Sequence, residues 1–186
     1  MPVQRITTRN ARFQQWHALL GNRTKRQRSR EFLVQGVRPI TLAAKHGWPL
    51  HALLYDDSRQ LSRWASDLLR TTATATAVGA TVPEQVAMAP DLLAELGEKE
   101  EDAPELVAVV GMPPDDLTRV AVPADFLGVV FDRPTSPGNV GTLIRAADAF
   151  GAHGLIVTGH AADVYDPRAV RASTGSLMTA RRAPRR

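Results

Sequence analysis

The chain has 186 residues, 44% hydrophobic and 23% charged, which excludes wholesale disorder and allows one sizeable core or two small ones. It has no cysteine, so disulfides, thiolate zinc sites and a cysteine nucleophile are excluded, in keeping with a reducing cytoplasm. The net charge of +4 is uneven: residues 1–50 carry ten Lys or Arg against one acid, residues 51–110 four against eleven, and residues 111–186 nine against seven. Such a basic front points to a polyanion, most simply nucleic acid. No apolar run nears the roughly 20 residues that span a bilayer, and the polar, basic start is unlike a signal peptide, so a soluble, cytoplasmic protein is expected with no membrane partner.

In chain order, Phe13, Trp16 and Leu20 recur at helical spacing over residues 10–20, with Gly21 as a stop. The run that follows holds Arg23, Lys25, Arg26, Arg28 and Arg30, five cations within eight residues and a candidate phosphate contact of salt-dependent, sequence-independent affinity. Residues 31–35 read as a strand, and Gly36 and Pro39 lead into a helix that Gly47 can end. Next come a strand over 50–55, a helix over 58–70, a weaker strand over 73–82, short helices over 83–96 and a strand over 105–110. The acidic run Glu98 to Asp102 reads as a solvated loop. Trp16, Trp48 and Trp64 read as core residues ahead of base-stacking ones, and the five histidines show no metal-ligand spacing. The Pro- and Asp-rich stretch 113–124 reads as a linker between a unit of residues 1–112 and a second of residues 125–186, both α/β.

The second unit opens with an apolar run, residues 127–131, of the kind buried in a parallel sheet, ending at Asp132. The string Pro137-Gly138-Asn139-Val140-Gly141 then predicts a tight turn, in which Asn139 bonds the turn or caps the helix that follows. That helix carries Arg145 and stops at Gly151. A strand over 155–158 follows. Asp166 then reads as an N-cap and Pro167 as the first helical residue, which sets Arg168 and Arg171 on one helix face, placed to hold a phosphate.

The string PGNVGTLIRAADAFG, after a strand and Asp132, resembles the first motif of the SpoU (TrmH-like) RNA ribose methyltransferases of the SPOUT superfamily, and residues 162–176 resemble the second. The front, from Phe13 through Arg23-Thr24-Lys25-Arg26 to Gly36, is similar to the small substrate-binding domain that precedes that catalytic domain. The resemblance implies an incomplete trefoil-knot α/β domain behind an RNA-binding one, and 2′-O-methylation of ribose in tRNA or rRNA with S-adenosyl-L-methionine as donor. It further implies Asn139 and Arg145 as catalytic residues and pairing of two copies. The family's third motif and the strand before it are not matched, and residues 178–186 read as a basic tail. The expectation is therefore a shortened chain with an incomplete donor pocket and no nameable donor residues, and the alternative is an RNA-binding remnant without catalysis.

Overall fold

The computed structural model describes residues 4–74, 82–98 and 103–179, and divides into two compact units, Met1–Met112 and Pro113–Arg186. Residues 113–124, linker-like in composition, group with the second unit.

The first unit runs β1 (Gln4–Ile6), α1 (Ala11–Gly21), α2 (Arg23–Ser29), β2 (Glu31–Gln35), α3 (Val37–Lys45), β3 (Leu50–Asp56), α4 (Arg63–Ala73), β4 (Glu84–Met88), α5 (Pro90–Gly97) and β5 (Leu106–Gly111). The strands form one sheet in the order β1-β4-β3-β5-β2, with β1, β4 and β3 parallel and β5 antiparallel to both its neighbours. Every residue of β5 is buried, as a central strand covered on both faces requires. Leu33, Leu54, Val86, Val107 and Val109 pack with Phe13, Trp16 and Leu19 of α1 and with Leu92, Leu93 and Leu96 of α5. Phe32, on the opposite face from Leu33, meets the Trp48 ring edge-on at 6.0 Å. Trp16 and Trp48 are thus core residues, and the half-buried Trp64 donates from Nε1 to Thr41 Oγ1 at 2.9 Å.

Three readings of this unit are corrected. Residues 84–88, expected to be helical, form β4 between β1 and β3. The helix expected from residue 58 begins at Arg63, capped by the Ser62 hydroxyl. β1 was not anticipated. The strand expected over 73–82 begins inside α4 and otherwise falls mostly on residues 75–81, outside the described residues, as do most of the acidic run and residues 180–186.

The second unit has a 3₁₀ turn at Leu117–Arg119, then β6 (Gly128–Asp132), α6 (Pro137–Ala149), β7 (Gly154–Thr158), α7 (Pro167–Ala172) and α8 (Ser176–Thr179). β6 and β7 pair in parallel, with Asp132 opposite Thr158. β6 is not buried as expected: Val130 is 66% exposed, because among the described residues β7 is its one strand neighbour. Met178, read as part of a tail, is fully buried in α8. No helix among the described residues is long and apolar enough to cross a membrane.

Candidate functional site

α6 starts earlier than the glycines suggest. Ser136 is its N-cap, accepting from the Asn139 N–H at 3.4 Å, and Pro137 is its first residue. Pro137 to Gly141 is therefore the opening of the helix and not a loop before it. The signal lay in Ser136-Pro137, a cap residue followed by the one residue that needs no N–H at that point.

Gly141 serves packing. A Cβ there would stand 2.2 Å from the Ala169 carbonyl oxygen and 2.7 Å from Ala172 Cβ, so α6 and α7 cross backbone to backbone. At the far end Gly151 has φ +72, and the Gly151 and Ala152 N–H groups bond the Asp148 and Ala147 carbonyls, which closes the helix in a Schellman motif as the sequence indicated.

Asn139 lies in the first turn of α6 and Arg145 six residues on, about 9 Å along the axis and about 120° around it. Both are exposed, and neither side chain has a hydrogen-bonding or ionic partner among the described residues. Thr142, also exposed, lies midway between them. An amide, a hydroxyl and a guanidinium thus face solvent in a stripe, able to donate to and accept from hydroxyls and phosphates.

At the carboxyl end of β6, Asp132 accepts from Thr158 Oγ1 at 2.6 Å and from Arg133 Nε at 3.0 Å. The Thr158 hydroxyl first, and Arg133 second, hold the Asp132 carboxyl below its ordinary range. This cluster was not legible in the sequence, since it depends on the register between the two strands.

On α7, Asp166 caps the helix by accepting the Arg168 N–H at 3.0 Å, as the sequence predicted. Its carboxylate also takes the Arg168 side chain, Nε at 3.0 Å and Nη2 at 3.2 Å. Arg168 remains exposed and Arg171 is half-buried. The pair is two-pronged, with Asp166 largely buried and Arg168 at the surface, so the carboxylate orients the guanidinium.

In the first unit the basic run forms α2, capped by Asn22, whose side chain accepts from Lys25 N at 2.9 Å. Arg23 and Arg28 are exposed, and Lys25 and Arg30 half-buried. Arg26 is the correction: it is 2% exposed, and its Nη1 donates to the Leu19 and Leu20 carbonyls at 2.6 and 3.0 Å. The last carbonyls of α1 lack intrahelical partners, and a guanidinium suits them in both geometry and charge. Arg26 is thus removed from the surface where a phosphate could reach it.

A cavity of about 180 Å³ lies by the second half of α6, lined among others by Ile144, Ala147, Asp148, His153, Leu155 and Thr179. It opens at the amino end of β7, whereas Asn139 lies at the carboxyl end of β6 and up to about 18 Å along the helix from the lining residue Gly151. The nearest lining residue on the helix, Ile144, lies about 7.5 Å along it from Asn139, and no described residue is assigned to a methyl donor. Among the described residues no cluster of His, Asp or Glu is placed to hold a metal ion.

Family models match both units: the SpoU L30e-like domain over residues 10–108 and the SpoU rRNA methylase family over residues 127–183. The chain is 68% identical over 177 residues to the 23S rRNA (uridine(2479)-2′-O)-methyltransferase of Streptomyces viridochromogenes, a match covering 95% of the chain and 58% of that relative. The crystal structure of the SpoU methyltransferase AviRb from the same organism, in complex with AdoMet, superposes with a TM-score of 0.83 at 68% identity, over 92% of this chain and 61% of that one. An rRNA methyltransferase from Sinorhizobium meliloti shares the fold at a TM-score of 0.80 and 24% identity, over 97% of this chain and 64% of that one. The chain thus spans about three fifths of the length of these relatives.

Proposed function

Because the chain belongs to the SpoU rRNA methylase family, we propose that it serves S-adenosylmethionine-dependent 2′-O-methylation of ribosomal RNA. Residues 1–112 are the RNA substrate-binding domain and residues 125–186 belong to the methyltransferase domain. Likeness to the Streptomyces viridochromogenes enzyme supports the substrate class, and the absence of cysteine suits a cytoplasmic enzyme.

One observation carries the reading: Asn139 and Arg145 stand exposed on one helix with Thr142 between them, and neither side chain has a partner among the described residues. A ribose 2′-hydroxyl is a poor nucleophile, so it must be oriented and its developing charge stabilised. The Asn139 amide fixes the ribose hydroxyls. Arg145 cannot serve as the base, because a guanidinium is not deprotonated in proteins, so it acts as a planar cation on the adjacent phosphate and the forming alkoxide, and the proton leaves to phosphate or water. Arg168 and Arg171 hold the neighbouring backbone, and Arg23, Lys25, Arg28 and Arg30 add contacts from the first unit.

A second reading is RNA binding without catalysis, which the exposed cations Arg23, Arg28 and Arg168 would serve by themselves. Calorimetry with S-adenosylmethionine, alongside RNA binding, separates the two. Saturable donor binding supports the enzyme, and retained RNA affinity without donor binding supports the second reading. The family resemblance also points to a pair of copies, which light scattering on the purified chain tests.

A further inference from the structure

Two non-glycine residues of the second unit, Arg133 and Thr174, have a positive φ, and Arg133 is the one beside the candidate site. Its φ of +49 lies in the left-handed region, where a long side chain is unusual and costs of order one to a few RT. The conformation has a visible effect. Successive residues of a strand point to opposite faces, but the left-handed step after Asp132 brings both side chains together, so that Arg133 Nε donates to Asp132 Oδ2 at 3.0 Å. Thr158 fixes the other oxygen of that carboxylate at 2.6 Å, and the Arg133 N–H bonds the Thr158 carbonyl at 3.0 Å.

Gly159 makes the room. A Cβ on it would stand 2.3 Å from Arg133 Cγ and 3.0 Å from Cδ, and Gly159 itself has φ +70, so any side chain there would evict the arginine stem. The stem is packed and Nε is held, yet the side chain is 73% exposed and neither Nη nitrogen has a partner among the described residues. A guanidinium held by Nε alone presents its Nη N–H groups as a fork matched to two oxygens of a phosphate. It stands at the carboxyl ends of two parallel strands, three residues before the cap of the helix that carries Asn139 and Arg145.

We infer that Arg133 is a further RNA-binding residue, gripping a backbone phosphate at the mouth of this site, with Asp132, Thr158 and Gly159 as the residues that aim it. The inference rests on the functional reading above, since it requires that RNA reaches this end of β6. A local ion pair alone requires neither the strained backbone nor the missing Cβ at Gly159, because an arginine in ordinary extended conformation can point freely into water.

The test is fluorescence anisotropy of a labelled ribosomal RNA hairpin titrated with the whole chain at several salt concentrations. Arg133→Ala should bind about tenfold more weakly, with a salt slope smaller by about 0.7–0.9, the loss of one phosphate contact. Arg133→Lys should keep the slope and lose part of the affinity. Arg133→Gly, which relieves the left-handed backbone, should lose the affinity while its Tm stays level or rises. Unchanged affinity and slope in Arg133→Ala overturn the assignment, as does a fall in Tm of Arg133→Gly with RNA binding intact, the mark of a structural role. Weakened S-adenosylmethionine binding at unaltered RNA affinity also overturns it, because the fork would then hold the donor's carboxylate. If the unmodified chain does not bind RNA, the functional reading fails and this assignment with it; if it binds and the variants match it, only the assignment fails.

Discussion

Gly141 of α6 approaches Ala169 of α7 so closely that a Cβ on the glycine would lie 2.2 Å from the Ala169 carbonyl oxygen. The obstacle is backbone, which cannot rotate away as a side-chain tip can, so the two helices would have to part. Gly141→Ala should destabilise the second unit by about 1–3 kcal/mol or more, read as a lower urea midpoint, although alanine favours helix. Gly138→Ala is the control, since the nearest atom to its Cβ would be Ser136 Oγ at 3.8 Å, and it should be neutral or mildly stabilising. Equal effects at the two positions would refute the close crossing.

Among the cations of the basic run, burial divides structure from surface. Arg26→Ala removes the donor to the Leu19 and Leu20 carbonyls and opens a cavity, and should cost about 2–4 kcal/mol in thermal or urea unfolding. Arg23→Ala and Arg28→Ala, both at exposed positions, should stay within about 0.5 kcal/mol and instead lower RNA affinity and its salt slope. A neutral Arg26→Ala would show that the buried guanidinium is dispensable.

Local signals were legible where one residue decides the matter. Asp166 and Pro167 announced the start of α7, and Gly151 the end of α6, because caps and stops act within a turn. Signals that depend on distant partners were not. Glu84, Gln85, Ala87 and Met88 are good helix formers, yet they form β4 because β1 and β3 flank them. β1, three residues long, has too few positions for a periodicity to show. The glycines of Pro137 to Gly141 were read as a turn, because the partner that requires Gly141, α7, lies nearly thirty positions away in the sequence. For the candidate site, Asn139 and Arg145 could be named from their motif, whereas the role of Arg133 depends on Asp132 facing Thr158 across the sheet.

Because Asn139 and Arg145 are exposed and bond nothing within the described chain, their replacement should leave stability within about 0.5 kcal/mol. In the protein that carries out the reaction, Arg145→Ala should lower methyl incorporation into ribosomal RNA about 10²-fold, and Arg145→Lys should recover only part of it, since an ammonium cannot reproduce the planar fork. Near-normal turnover by Arg145→Lys would count against a two-pronged contact. A loss of Tm in Asn139→Ala would show that the amide is structural.

The Asp132 carboxyl gives a pH signature of defined sign. Its native pKa is depressed, first by the Thr158 hydroxyl and then by Arg133, so the unfolded chain binds the proton more readily than the native one. The stabilisation is therefore complete above the ordinary carboxylate pKa of about 3.9 and disappears as pH falls through the lower native value. In Thr158→Val the principal cause is gone, the native pKa should move up towards the ordinary range, and this group's share of the acid-limb loss should shrink. Carbon-detected NMR titration of Asp132 reads the shift directly, and urea midpoints between pH 5 and pH 2.5 read its consequence. A carboxyl titrating at or above the ordinary value in the unmodified chain would mean that the Thr158 bond does not form in solution, and the aim of Arg133 would lose its anchor.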